Sequence, residues 1–350
     1  MSKFVINGGK ALTGSITVVG SKNAVLPMLA ATLLTREECA LSNVPRIVDV
    51  ANFVQILTEL GAQVVWRGTN LYVACRNIGN RQPNGRLVSS MRASIVLLGA
   101  VLGRRGNVRL AYPGGDLIGA RPVDLHLRAF ENFGASVRQG RGHISVVARK
   151  LRGATVYADS SVTGSENILL GSVLAPGVTV IHLAAQEPHV VSLGRFLNRM
   201  GARISGLGSH TLMVSGVRRL HAARARVIPD MIEAGSFAIL AAATKSEMTI
   251  KSVEHNFLDA VYGKFMEMGI NFEKSADDLL IRKSRTGYKA ATIRTGLYPS
   301  LATDLQPPFG VLATQAHGTS IIHDWIFEGR LGYLRELKKM GARVTVMDTH

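Results

Sequence analysis

The chain has 350 residues, of which 47% are hydrophobic and 19% charged, with a formal net charge of +17. This composition excludes a disordered chain, which is poor in apolar side chains, and the length suits two domains or one large one. No apolar run reaches the roughly 18 residues of a membrane span, and the start MSKFVINGGK lacks the apolar core of a secretion signal. Cys39 and Cys75 form no CxxC pair, so neither a zinc site nor a disulfide framework is expected. The expectation is a reduced, cytoplasmic protein. The basic excess is uneven: Arg76 to Arg152 holds thirteen Arg and one Lys against Asp116, Asp124 and Glu131. Such a segment attracts anions, whether nucleic acid or phosphorylated metabolites, or is simply a solvated arginine face.

In chain order, an opening strand is predicted over Ser15–Val19, then a loop Gly20-Ser21-Lys22-Asn23 and an apolar helix over Ala24–Leu34. Phe53, Ile56, Leu57 and Leu60 fall at helical spacing. Gly61 follows them, and then Ala62, Val64 and Trp66 alternate as a strand does. Gly suits the left-handed position that ends a helix. The same helix–Gly–strand signature returns at Gly134, Gly201, Gly269 and Gly341, at intervals of 73, 67, 68 and 72 residues. A second apolar helix precedes most of these, over Arg92–Val101, Glu166–Leu174, Ile232–Ala243 and Phe309–Gln315. Each repeat therefore reads as β-α-β-α-β-β. Such a unit cannot bury both faces of its sheet alone, so several must pack around shared helices.

Five signatures are present, and a sixth would be centred near position 410, beyond Val344–His350. The opening strand belongs to no complete unit and could complete the later domain. That puts chain crossings at Gly20-Ser21-Lys22 and Ile228-Pro229-Asp230. The expected domains are 21–229, and 1–20 with 230–350. A residue at a crossing would face an interdomain cleft, a favoured ligand position.

No GxxxxGK[ST] loop, complete GxGxxG, GxSxG or HExxH occurs, and GLGSH at Gly206–His210 reads as a turn. Four groups could carry chemistry. Lys22 precedes an apolar helix, where an ammonium and a helix N-terminus can hold an anion; the plainer reading is a surface Lys with Ser21 as cap. Gly114–Pro122, with Asp116 and Arg121 among glycines, reads as a loop that closes over substrate or as a plain surface loop. Arg92 at a helix start opposes the dipole unless an anion is near; otherwise it is a solvated arginine. Asp304, in TDLQPP, reads more readily as a helix cap than as a base. His126 and Glu328 say little singly.

Together, SKNAVLPMLAATLL, MRASIVLLGAVL, PGGDLIGARPVDLHL and TDLQPPFGVLA resemble the enolpyruvyl transferase family, in its UDP-N-acetylglucosamine branch. The resemblance runs from Phe4 to about Val346. It implies an α/β fold: a two-domain inside-out α/β barrel of βαβαββ units, five of an expected six being present. It also implies transfer of the enolpyruvyl group of phosphoenolpyruvate to the 3′-hydroxyl of UDP-N-acetylglucosamine, with phosphate released and no cofactor or metal. By the same resemblance Lys22, Asp116 and Asp304 would be catalytic, with Asp304 the base for the sugar hydroxyl. Asn23, Arg92, Arg121, Pro122, Val123, Asp124, Leu125, His126, Thr163, Gly164, Ile326 and Glu328 would bind substrate. Partners would be those two small molecules, not nucleic acid or membrane.

Three departures accompany the likeness. Asp116 stands where many members carry Cys, which implies resistance to the thiol-alkylating epoxide fosfomycin. No lysine lies near Ser160, Thr163 and Gly164. Gly329 replaces the usual Asn in FEGR. The sixth unit carries further arginines in the family, so this span is expected to bind phosphoenolpyruvate poorly and to turn over slowly. Two other readings are a relative that only binds UDP-sugar and a nucleic-acid binder. The retained Lys22, Asp116, Arg121 and Asp304 speak against the first. Scarce aromatics in the basic segment speak against the second.

Overall fold

The computed structural model describes residues 3–115, 118 and 122–347. The chain opens with β1 (Thr13–Thr17). The first repeat holds α1 (Lys22–Thr32), β2 (Glu38–Ser42), α2 (Val48–Glu59), β3 (Gln63–Arg67) and β4 (Asn70–Ala74). The second holds α3 (Gly85–Val88), α4 (Leu97–Arg105), β5 (Asn107–Ala111), α5 (Asp124–Asn132), β6 (Ser136–Gly140) and β7 (His143–Val147). The third holds β8 (Thr155–Tyr157), α6 (Val162–Ser172), β9 (Val178–His182), α7 (Pro188–Arg199), β10 (Arg203–Ser205) and β11 (Thr211–Ser215). After β12 (Arg224–Arg226) come α8 (Met231–Ala243), β13 (Glu247–Lys251), α9 (Asp259–Met268), β14 (Phe272–Lys274) and β15 (Asp278–Ile281). The fifth stretch holds β16 (Tyr288–Lys289), β17 (Thr292–Arg294), α10 (Gln306–Ala313), β18 (Ala316–His317), β19 (Ile321–His323) and α11 (Tyr333–Lys339).

The repeat has one sheet plan. In the third, β8 runs parallel to β9, β9 pairs antiparallel with β11, and β11 pairs antiparallel with β10. The same plan recurs as β12-β2-β4-β3 and as β1-β13-β15-β14. In both of these the first strand comes from elsewhere in the chain: β1 pairs with β13, and β12 pairs with β2. The second repeat forms the three-stranded sheet β5-β7-β6, with short α3 ahead of it in place of a first strand.

All five signature glycines take positive φ: Gly61 109°, Gly134 86°, Gly201 95°, Gly269 75° and Gly341 95°. A side chain there would be strained, so glycine closes each helix and turns the chain into the next strand. After Gly341 the expected strand does not form: residues 342–347 are irregular. A strand needs a neighbour for its ladder, and residues 342–347 pair with none of the described strands.

The chain divides into two compact units. One joins the segment up to Val19 with that from Pro229 onward; the other takes in most of Gly20 to Ile228. Each has its own core. In the larger unit α1 is buried from Ala24 to Thr32 and α6 from Gly164 to Ser172, so these helices are central, with α6 burying Ser165, Glu166, Asn167 and Ser172 among its apolar residues. By contrast α2 and α5 bury one face only. Cys39 and Cys75 are free and buried, and burial pushes both thiols up to about 11.

Candidate active site

Lys22 opens α1. Ser21 before it is extended and buried, but its hydroxyl makes no cap bond, so the expected serine cap is absent. Backbone does that work: the Ser21 carbonyl accepts Val25 N–H at 3.0 Å, and Ser21 N–H donates to the Ile228 carbonyl at 2.8 Å. The Lys22 ammonium lies 3.4 Å from Asp49 of α2 and remains about half exposed. No acid occupies the first turn of α1. Pro27 has no N–H for the Asn23 carbonyl, so that carbonyl stays outside the helical ladder at the same end. A helix N-terminus bearing an ammonium is suited to anionic oxygen.

Arg92 begins a 3-10 turn, Arg92–Val96, that feeds α4. Its guanidinium donates to the Pro122 carbonyl at 3.1 Å. Gly115 approaches from the other side: a Cβ there would lie 3.0 Å from Arg92 Cβ, and φ is 105°. A Cβ on Gly114 would lie 1.9 Å from the Ser89 carbonyl oxygen. Arg92 and its neighbour Ser89 thus hold both ends of the glycine-rich segment, which is a structural reason for an arginine at this helix start. Asp116 and Arg121 lie outside the described residues.

Beyond that segment, Val123 is buried and Asp124 sits in the first turn of α5, where its charge suits the dipole. Leu125 meets Gly164 of α6: a Cβ on Gly164 would lie 2.5 Å from Leu125 Cδ2. Gly164 N–H donates to the Ser161 hydroxyl at 3.2 Å, so Ser161 caps the helix next to Thr163. Asp159 and Ser160 just before it take φ of 44° and 55°, left-handed values uncommon for such residues. His126 is 2% exposed. Its Nδ1 accepts Asn167 Nδ2 at 2.9 Å, which requires the neutral ring with its proton on Nε2. Burial, then the Arg92 charge, lowers its pKa to about 4.

Glu166, one turn along α6, was not singled out in the sequence. It is 3% exposed, and its Oε1 has no hydrogen-bond partner among the described residues. Burial and then the Glu187 charge push its carboxyl well above the usual range.

In the other unit, Asp304 lies in a 3-10 turn, Thr303–Leu305, ahead of α10. It does not cap that helix. Pro307 and Pro308 lack N–H groups, so the start of α10 has fewer donors to satisfy. The Asp304 carboxylate instead accepts Arg330 Nη2 through Oδ1 at 2.5 Å, leaving Oδ2 without a hydrogen-bond partner among the described residues. Arg330 also donates to the Thr303 hydroxyl at 3.1 Å. Thr303 in turn donates to Asp324, which is fully buried and accepts Ile326 N–H at 3.0 Å and Phe327 N–H at 3.2 Å. Ile326 is thereby fixed through its backbone, while Glu328 is exposed. Gly329 takes φ of 78°, a left-handed value that Asn also tolerates. Arg330 was missed in the sequence. Its only signal was a cation directly after Phe327–Gly329.

Repeated βαβαββ sheets around buried helices are the architecture of the enolpyruvyl transferase class. The chain belongs to the EPSP synthase (3-phosphoshikimate 1-carboxyvinyltransferase) family, whose profile matches residues 6–350. A UDP-N-acetylglucosamine 1-carboxyvinyltransferase of Koribacter versatilis is 39% identical over 351 residues, 99% of this chain and 81% of that protein. One of Nitratidesulfovibrio vulgaris is 41% identical over 347 residues, covering 99% and 83%. Among solved structures, the enolpyruvyl transferase NikO of Streptomyces tendae superposes with a TM-score of 0.89 at 22% identity, covering 98% of this chain and 82% of that one. EPSP synthase of Acinetobacter baumannii gives 0.68 at 18% identity, covering 90% and 74%.

Proposed function

We propose that the chain transfers the enolpyruvyl group of phosphoenolpyruvate to the 3′-hydroxyl of UDP-N-acetylglucosamine, releasing phosphate. That reaction is the first committed step of peptidoglycan synthesis in the cytoplasm, on which cell shape and division depend. The reading is supported above all by relatives 39–41% identical over 99% of the chain that carry this name. Lys22, Arg92 and Arg121 are assigned to the phosphate and carboxylate groups of the substrates, as cations suited to such oxygens. Asp304 takes the proton of the sugar hydroxyl: Arg330 fixes Oδ1 and leaves Oδ2 to accept it. Asp116 delivers a proton to the methylene carbon of phosphoenolpyruvate, which makes the neighbouring carbon electrophilic. The hydroxyl oxygen bonds to that carbon. Loss of a methyl proton and of phosphate then restores the double bond.

The test is phosphate release by the purified chain with both substrates, alongside calorimetric binding of UDP-N-acetylglucosamine. Release should depend on both substrates. Asp304→Asn should lower it about 10²–10⁴-fold, the usual worth of a positioned base, with sugar-nucleotide binding changed only a few-fold. Release that ignores the sugar nucleotide, or that survives Asp304→Asn, would overturn the assignment.

A further inference from the structure

The outer face of the β12-β2-β4-β3 sheet carries a recess that the proposed reaction does not use. Its volume is about 290 Å³, and it is lined by Ser42, Asn70, Tyr72, Arg199, Arg224 and Arg226, with Ala40, Leu41 and Ala225 completing the wall. The sheet register explains the recess. Ala40 sits between Arg224 on one neighbouring strand and Tyr72 on the other. Those outer strands are about 10 Å apart, two strand spacings, and between them a methyl group leaves a trough. Ser42, small again, sits beside Arg226. Arg199, the last residue of α7, reaches in and donates to the Arg224 carbonyl at 3.4 Å.

The charge here is unbalanced. None of Arg199, Arg224 and Arg226 has an ion-pair partner among the described residues. Arg67 adds a fourth cation, its guanidinium 4.9 Å from the centre of the Tyr72 ring. The nearest acids by sequence are Glu37 and Glu38. Glu37 is engaged by Ala222 N–H at 2.9 Å, and Glu38 lies beyond the lining, opposite Ala74. Arg224 and Arg226 share one face two residues apart, about 6.6 Å along the strand, so one extended anion can meet both. Guanidinium groups favour phosphate oxygens in bidentate geometry, Asn70 adds a neutral donor, the Ser42 hydroxyl donates to the Ala225 carbonyl at 3.5 Å, and the volume is that of a small ligand.

We infer that this recess is a binding site for a small diphosphate-bearing anion, sharing no residue with the Lys22, Arg92 and Asp304 groups and independent of the catalytic reading. The test is calorimetric titration of the purified chain with inorganic pyrophosphate, and with ADP as the nucleoside-bearing form. Arg224→Ala with Arg226→Ala should weaken a saturable pyrophosphate site tenfold or more. Arg138→Ala with Arg141→Ala, which removes the same charge from the β6–β7 hairpin, should leave that site within twofold. Arg224→Lys with Arg226→Lys, which keeps the charge and guards against a folding defect, should give an intermediate loss. Tighter ADP binding whose gain disappears in Tyr72→Ala assigns a nucleoside diphosphate; equal binding of the two assigns the bare diphosphate group, and either upholds the site. Equal weakening by the two alanine pairs, or no weakening by the Arg224/Arg226 pair, overturns it.

Discussion

His126 and Glu166 are titratable side chains whose neutral forms are favoured by burial, which shifts their pKa values in opposite directions. The imidazole titrates near 4 in the fold against its ordinary 6.5, so the folded state favours the unprotonated ring. Its contribution is whole above about pH 6.5, shrinks as the pH falls, and is gone below about pH 4. The full difference is worth about 3 kcal/mol, of which about 2 kcal/mol should be lost between pH 6.5 and pH 5. Urea unfolding at pH 7 and pH 5 should show that loss, and His126→Gln should flatten the slope by about the same amount. Glu166 runs the other way. Its folded pKa is raised, so its contribution is present at low pH and is lost as the pH rises from about 4.5 toward the folded value. Glu166→Gln keeps the shape without the charge, and should raise the melting temperature more at pH 9 than at pH 6. Neither residue's burial was legible in the sequence, where Glu166 stands between Ser165 and Asn167 ahead of the apolar run Ile168–Leu170. Arg330 was equally hidden: it stands 26 positions from Asp304, and only the turn built on Asp324 brings the two together.

Helices α4 and α6 pack at close range because glycines leave room. A Cβ on Gly99 would lie 2.3 Å from the Asn167 carbonyl oxygen, and Gly99 N–H donates to Asn167 Oδ1 at 2.7 Å. That side chain serves a donor near the start of α4, whose own cap residue, Val96, has no side-chain acceptor. Alanine is ordinarily the better helix former by about 1 kcal/mol. Here the clash with fixed backbone decides the sign, and Gly99→Ala should destabilise the chain by about 1–3 kcal/mol. Chemical denaturation checks it. These two helices were legible as apolar stretches near Arg92–Val101 and Glu166–Leu174, since a buried helix needs no polar face. Their closeness was not, because periodicity reports which face is apolar and not how near the neighbour comes. Short α3 escaped for the same reason of scale: four residues carry no period, and Asn84 fixes them by accepting Arg86 and Leu87 N–H.

At the scale of the molecule, the repeat was the most legible feature, because a left-handed helix end has one favoured residue and glycine marks it five times. The opening strand, which belongs to no complete unit, pairs with β13, and β12 pairs with β2. The final strand was overread: alternation after Gly341 is not enough without a ladder to join. The larger unit closes all its own sheets, because β12 returns to β2 before the chain leaves at Ile228. A fragment of residues 20–228 should therefore fold alone and melt cooperatively. Ending it at 217 removes β12, bares one edge of β2, and should lower the melting temperature or broaden the transition by circular dichroism.

The pairing of β1 with β13 also sets an order in time. Thr13 leaves the ribosome first, yet its partner Glu247 is 234 residues behind it. At roughly 5–20 residues per second the strand waits about 12–47 s before anything can pair with it. An apolar strand left open that long would recruit the edges of neighbouring nascent chains. The sequence Thr-Gly-Ser-Ile-Thr, with one apolar side chain in five, can wait in water without doing so.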